Sequence, residues 1–318
     1  MLRRVAQAVV VLWAAFTLSF VILYLLPGDA VLTKLGSAEG GINASAEQIA
    51  QARAQYGLDD PVLLQYGNRL LAALHGDFGQ SISTGEDATQ MVLSALPPTL
   101  AVTGLALVLA VVFGGGIAVL GTYTRARALS QLLLSLPPLG ISLPTFWVGL
   151  LLIQVFSFQL RLLPALGSTG PESLILPAIT LALPTGAIIG QVLAKSLRTQ
   201  LAEPYIEIAR AKGASRTRVH FGHALRNAAL PALTLVGVVA GNLLAGSVIT
   251  ETVFSRDGVG RVTSAAVTAQ DIPVVQAVIV LAAFFFVTVN LIVDLLYPLL
   301  DPRLTQVPLA SRKATADV

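Results

Sequence analysis

Six long apolar runs, none with a charge at its centre, constrain this chain more than any other feature of its sequence. They fall near residues 5–27, 98–121, 133–158, 174–194, 231–253 and 273–298. A helix needs roughly 20 apolar residues to cross the hydrocarbon layer of a bilayer, and each run has that length. With 55% of its residues hydrophobic and 12% charged, the chain cannot hide its apolar surface in one soluble core. Lipid is therefore part of its solvent, and six membrane helices are predicted. The first run follows Met1, Leu2, Arg3 and Arg4 as a secretory signal would, but it is too long for one. No small-x-small cleavage site precedes Pro27, Gly28 and Asp29, so this run is read as a first membrane helix.

Basic residues resist transfer across the membrane and collect on its cytoplasmic side. An N-terminus placed inside puts Arg3, Arg4, Arg125, Arg127, Lys195, Arg198, Arg210, Lys212, Arg216, Arg218, Arg226, Arg303, Arg312 and Lys313 inside. Lys34, Arg53, Arg69, Arg161, Arg256 and Arg261 are left outside, three of them in one long loop that weighs little in this rule. Both termini are expected in the cytoplasm. The basic balance then belongs to cytoplasmic loops, which argues against a nucleic-acid partner.

Little in the sequence supports covalent chemistry. There is no Cys, which removes disulfides, thiolate metal sites and thiol nucleophiles. No Ser/His/Asp set, carboxylate pair or dinucleotide glycine motif stands in a suitable context. His220 and His223 lie about one helical turn apart, but without a nearby carboxylate or thiolate the pair is incomplete as a metal site. No Gly-Lys-Ser or Gly-Lys-Thr phosphate loop occurs, so nucleotide must be bound elsewhere.

Between the first two runs, the outer segment from Gly28 to about Leu96 is polar. Ser45 and Gln48 match a capping box, Gly57 can end that helix, and Asp60 with Pro61 can start another. This segment reads as a lid or docking surface, with a mere spacer as the alternative. Residues from about Thr305 to Val318 read as a disordered tail.

The most informative stretch is cytoplasmic: Glu203-Pro-Tyr-Ile-Glu-Ile-Ala-Arg-Ala-Lys-Gly213, continuing through Ala214 and Ser215 to Leu230 and Pro231. Pro204 suits the first turn of a helix, Ala209 and Ala211 give it a small face, and Gly213 permits a reversal. A second helix follows, and Leu230 with Pro231 is expected to restart the membrane helix. Such a knob, flanked by basic residues, suits a groove on a soluble partner; the alternative is a solvated loop held by anionic headgroups.

The pattern of Glu207, Ala209, Gly213, Leu230 and Pro231 resembles the EAA loop of type I ABC importer permeases. Ile208 departs from that loop's first Ala, and the longer Gly-to-Pro spacing is similar to the dipeptide, oligopeptide and nickel branch. Further matches cover nearly the whole chain: Leu25-Leu-Pro-Gly-Asp29, Tyr56-Gly-Leu-Asp-Asp-Pro61, His75-Gly-Asp-Phe-Gly79, Ile141-Ser-Leu-Pro-Thr-Phe-Trp147, Glu251-Thr-Val-Phe254 with Gly258 and Gly260, Val289-Asn-Leu-Ile-Val-Asp294 and Asp301-Pro302.

That resemblance implies an all-α integral membrane protein with the permease fold, in the bacterial cytoplasmic membrane. It implies a second related permease, two ATP-binding cassette ATPase subunits and an extracytoplasmic substrate-binding protein as partners. The chain itself binds no cofactor, and the ATPases use ATP and Mg. Tyr205, Glu207, Ala209, Arg210, Ala211, Lys212, Gly213, Ala214 and Ser215 then form the ATPase-coupling loop, within a larger inner loop 195–230, with Arg210 and Lys212 poised for acidic partner groups. Dipeptides or oligopeptides are the expected cargo, with nickel chelates, glutathione or another small solute as alternatives; a non-transporting scaffold is the alternative of another class. The division read here is an N-terminal helix and outer loop over 1–97, a transport core over 98–304 and a tail over 305–318.

Within the spans, Gly186 with Gly190 and Gly237 with Gly241 mark close helix approaches, either inside this subunit or on a moving face. Gly114, Gly115 and Gly116 can allow a bend, and Pro137, Pro138, Pro144, Pro177 and Pro184 mark kinks or ends. Among Gln154, Gln191, Asn242 and Asn290, the residues Gln191 and Asn242 are taken as candidates for the translocation path, against interhelical hydrogen bonds. Asp294 is expected to make a structural hydrogen bond or to pair with Arg303. Glu251 is expected to face binding protein or solvent.

Overall fold

The structure, a computed structural model, describes residues 2–25 and 61–300, with side chains described over 4–23 and 61–292. Ser45, Gln48, Gly57, Asp60, the 26–29 and 301–302 motifs, the side chain of Asp294 and the tail lie outside the described residues. The described residues form helices α1 Leu2–Leu25, α2 Val62–Leu74, α3 Ala88–Tyr123, α4 Arg127–Ser142, α5 Thr145–Leu152, α6 Ile175–Leu201, α7 Pro204–Ala211, α8 Leu225–Val253, α9 Val259–Thr268 and α10 Ile272–Leu300. A π-helical stretch Ile153–Gln159 extends α5, a short 3-10 turn Pro171–Leu174 leads into α6, and a second π stretch Arg218–Ala224 leads into α8.

Five of these helical stretches are long and apolar enough to cross a membrane: Arg4–Leu23, Ala88–Tyr123, Pro171–Leu201, Arg218–Val253 and Ile272–Ile292. The run near 133–158, expected as one helix, is instead two helices, α4 and α5, that meet at 105°. The break lies at Leu143-Pro144, where both residues take extended backbone with ψ of 130° and 129°. A proline ring disfavours the helical region for the residue before it, and its missing N–H removes a helical bond; here the helix ends at that point. Pro137 and Pro138 by contrast lie inside α4, and Pro184 inside α6.

The second and fifth runs are longer than their apolar parts suggest. Helix α3 begins ten residues ahead of the predicted start, because the Asp87 carboxylate accepts a hydrogen bond at 2.8 Å from the amide of Gln90 and caps it. Pro231 restarts nothing: it lies inside α8, whose helical stretch already runs from Arg218.

At the centre, α3, α6 and α8 pack around Val102, Ala106, Ala110, Ala178, Leu181, Ala182, Ile189, Val239 and Leu243. Small residues let α3 and α6 approach until their backbones touch. A Cβ on Gly114 would stand 2.1 Å from the carbonyl oxygen of Gly186, and one on Gly190 would stand 2.9 Å from that of Gly114. The Gly186–Gly190 pair thus packs inside this subunit, and Gly114 is the matching groove within a continuous helix rather than a bend. Without a hydrophobic drive in lipid, such contact is what holds helices together. Gly241 in turn receives the ring of Phe286, so α8 seats on α10.

Helix α1 leans on α10 and turns Phe16 and Phe20 onto Tyr66 of α2, with ring centroids 5.9 and 5.3 Å apart. Its Val9, Val10, Trp13, Leu18 and Ile22 stay exposed, as a lipid-facing surface must. Helix α2 starts directly after Pro61, where a helix start was expected.

Candidate functional site

The knob expected on the cytoplasmic side is a helix, a glycine turn and a second helix. Pro204 opens α7 at its first position and leaves no amide unsatisfied there. At the other end the Gly213 amide bonds the carbonyl of Arg210 at 2.9 Å, and the Ala214 amide bonds that of Ala209 at 3.0 Å. This pair of bonds is a Schellman motif, which needs a left-handed residue at its turn. Gly213 supplies it with φ of +84°. Ser215 then caps the second helix, its hydroxyl accepting from the amide of Arg218 at 3.3 Å.

One residue anchors the knob. Ile206 is fully buried among Ala118, Leu193, Leu197, Val219, Ala224 and Ala228, residues drawn from α3, α6 and the second helix. Tyr205 lies over the same cluster while its hydroxyl donates to Gln200 at 2.8 Å and accepts from Asn227 at 3.3 Å. The expected small face is split between two sides. Ala209 and Ala214 tuck against the buried cluster, whereas Ala211 faces outward. Glu207, Ile208, Arg210, Ala211, Lys212, Gly213 and Ser215 are exposed. Ile208 is 57% exposed, an apolar residue in the middle of a charged face. Glu207 lies in the first turn and Arg210 in the last, so both charges oppose the helix dipole.

The second helix is bolted to the inner end of α3. The Tyr123 hydroxyl bonds that of Thr217 at 2.9 Å, and the Arg216 guanidinium donates to the carbonyls of Tyr123 and Thr124 while lying over the Tyr123 ring. The Thr122 hydroxyl donates to the carbonyl of Ala118 at 2.8 Å and meets His220 Nε2 at 3.0 Å. That arrangement assigns the histidine proton to Nε2. His220 is therefore a buried packing residue set against Tyr123 and Phe221. Among the described residues no group of three or more His, Asp and Glu side chains could hold a metal.

At the opposite face, charges are buried and paired. Glu251, expected to face binding protein or solvent, is 1% exposed. Its carboxylate accepts from the Thr99 hydroxyl at 2.6 Å and from the amide of Gly260 at 2.7 Å, and Thr99 in turn accepts from the amide of Val259 at 2.9 Å. A Cβ on Gly258 would stand 2.4 Å from that carboxylate, and one on Gly260 would stand 2.5 Å from the backbone of Val248. The Glu251, Gly258 and Gly260 pattern is thus one device: two side-chain-free positions let the backbone of α9 close over a buried carboxylate.

Asp271 is equally buried and receives a hairpin. It accepts from the hydroxyls of Ser81 and Ser83 at 2.5 and 2.7 Å, and from the amides of Ile82 and Ser83 at 3.1 Å each. Arg256 donates to the carbonyls of Gly167 and Ser173 at 3.0 and 2.7 Å. Burial pulls its pKa below the ordinary value, with Glu251 and Asp257 opposing. In the sequence, a lone Asp or Arg beside a span carries no signal of what it meets across the fold. Between the hairpin, α3 and α9 lies a cleft of about 630 Å³ edged by Glu86, Asp87, Gln90, Asp257 and Arg261.

The two path candidates are both exposed on this subunit, Gln191 on α6 and Asn242 on α8, as is Gln154. Asn290 instead turns its amide back to the carbonyl of Phe286 at 2.8 Å.

With five helical stretches of membrane length and one broken pair, this is a multi-pass helical membrane protein. The chain belongs to the binding-protein-dependent transport system inner membrane components: that family's model matches residues 106–306, and the model of the family's N-terminal part matches residues 1–103. It is 34% identical to the probable peptide ABC transporter permease protein y4tP of Sinorhizobium fredii, covering 95% of this chain and 98% of that one. It is 37% identical to the glutathione transport system permease protein GsiC of Salmonella typhimurium, covering 95% and 97%, and 36% identical to GsiC of Escherichia coli, covering the same shares. Among solved structures, the inward-facing MetNI methionine ABC transporter matches with a TM-score of 0.54 at 18% identity, over 66% of this chain and 96% of that one.

The chain is therefore the membrane permease of a binding-protein-dependent ABC importer in the bacterial inner membrane. It acts with an ABC ATPase and a substrate-binding protein. It is not the enzyme of the system: ATP is used by the ATPase partners, and members of this family bind no cofactor.

Proposed function

We propose that this permease moves peptides and that the knob Tyr205–Ser215 is the part its ATPases grip. One observation carries the reading. The fold of α7 and its turn is complete without help, through Ile206, the Schellman bonds and the Ser215 cap, while Glu207, Ile208, Arg210 and Lys212 are left to water. A helix that presents an apolar residue among charges on a preformed knob fits a groove on a soluble partner. Two ATPase subunits below and a second, related permease alongside complete the assembly. The binding protein lies above, over the cleft between Glu86 and Arg261.

Peptide cargo is supported by the peptide relative, and the glutathione relatives keep a modified tripeptide as the second reading. Gln191 and Asn242 line the path in this reading, because an exposed amide without a partner in hydrocarbon is costly and needs water or cargo. Residues 1–97 and 98–304 are taken as outer-loop unit and transport core, with 305–318 as a tail.

The assembled complex in vesicles, with its own binding protein, is expected to accumulate labelled trialanine in an ATP-dependent manner. A thiol cross-linker attached at Ile208→Cys, unique in a chain without Cys, is expected to capture the ATPase. Capture of no ATPase, or labelling of that cysteine only from the outer face, defeats the knob assignment. Uptake of glutathione but not trialanine defeats the peptide assignment.

A further inference from the structure

Helix α3 touches both ends of the molecule. Its 36 residues span about 54 Å at 1.5 Å each, against roughly 30 Å of hydrocarbon, so it protrudes from the membrane. Pro97 and Pro98 lie near its outer end, and from Thr99 to Tyr123 no proline interrupts it.

At both ends of that uninterrupted stretch α3 is hydrogen-bonded to the functional regions. At the inner end, Thr122, Tyr123 and Thr124 hold His220, Thr217 and Arg216, the first residues after the knob. At the outer end, Thr99 holds the Glu251 carboxylate and the amide of Val259, the first residue of α9. Between them the backbone of α3 rests on Gly186 and Gly190 of α6. Packed elements that move as units, rather than bending continuously, are what carry displacement across a fold.

We infer that α3 is the rod of this importer. A push on the knob passes through the clasp of Tyr123, Thr217, Arg216 and His220 into α3, and leaves it through Thr99 to move α9 and the outer rim. Tyr123, Thr217, Arg216 and Thr99 are positioning residues: they touch neither cargo nor nucleotide. The inference rests on the knob being the ATPase contact.

The test uses the whole complex, with spin labels at Ser264→Cys on α9 and Ile22→Cys at the outer end of α1, both exposed sites. The distance between them is measured before and after the ATPases are trapped with ATP and vanadate. With the clasp intact, trapping is expected to shift the distance by about 2 Å or more. Tyr123→Phe with Thr217→Val removes two hydroxyls and no volume of consequence; in this variant the ATPases still trap nucleotide but the shift is lost. Arg216→Gln tests the same clasp should the double variant fail to assemble.

A shift that survives in the clasp variants overturns the inference, as does a distance unmoved by trapping in the unaltered clasp. A complex that binds no ATPase through this chain instead defeats the functional reading on which the inference rests. A merely structural role for the clasp lowers complex yield and leaves the trapped shift of the assembled fraction unchanged, which also overturns it.

Discussion

The two faces of this protein use charge in opposite ways. At the outer rim, Glu251, Arg256 and Asp271 are buried, each at 2% exposure or less, and their bonds run between segments far apart in sequence. At the knob, Glu207, Arg210 and Lys212 are exposed, and the shape is held by backbone bonds and one buried isoleucine. Buried charge bonded to several segments at once over-determines a geometry, since losing the charge leaves those partners unsatisfied. Exposed charge on a self-capped helix leaves the surface free for another molecule. The outer face is held together by its own segments, and under the proposed function the inner face is held by the ATPases.

The strongest way to break that contrast is Asp271→Ala. Two serine hydroxyls and two amides lose their acceptor, at a cost of about 4 kcal/mol in total, the upper range for a single substitution. The hairpin Gly79–Asp87 is then expected to become a protease-sensitive site in the purified complex, with cleavage between Ser81 and Glu86 mapped by mass spectrometry. A hairpin as resistant as before removes the claim that the outer rim depends on buried charge.

A smaller effect is expected at Gly213. Its Cβ would meet nothing, so Gly213→Ala has only the left-handed backbone to contend with, about 1–2 kcal/mol. Asn accepts that conformation more readily. Uptake should fall with Ala and return largely with Asn, an order that sterics alone cannot give. Equal uptake in both variants argues against the Schellman turn as the feature that shapes the knob.

The smallest expected change sharpens the other half of the contrast. Ile208→Ser alters an exposed residue, so the thermal midpoint of the isolated subunit should stay within the change that about 0.5 kcal/mol produces. ATPase association in a pull-down should nevertheless weaken. Loss of stability without loss of association reverses the reading of that surface.

Much of this was legible in the sequence because lipid imposes length and apolarity on every span, and because glycine and proline act locally. Gly213, Pro204 and Ser215 do what their own chemistry suggests. Pro144 and Pro231 show the limit of that logic. The first ends a helix inside an apolar run and the second lies harmlessly inside one, since only the tertiary setting decides whether a missing amide matters. Glu251 was misplaced for a related reason. A carboxylate near the end of a span reads as solvent-facing, and its true partners, Thr99 and Gly260, lie 152 and 9 residues away in the chain.

The seam between α3 and α6 sets one last condition on movement. Along it, Ala106, Ala110, Gly114 and Ala118 face Ala178, Ala182, Gly186, Gly190 and Ala194, all buried. Small residues at every fourth position make notches about 6 Å apart, four residues at about 1.5 Å each. Should one helix ever travel along the other, it has places to stop at that spacing and nowhere to rest between them, like a pawl on a ratchet bar.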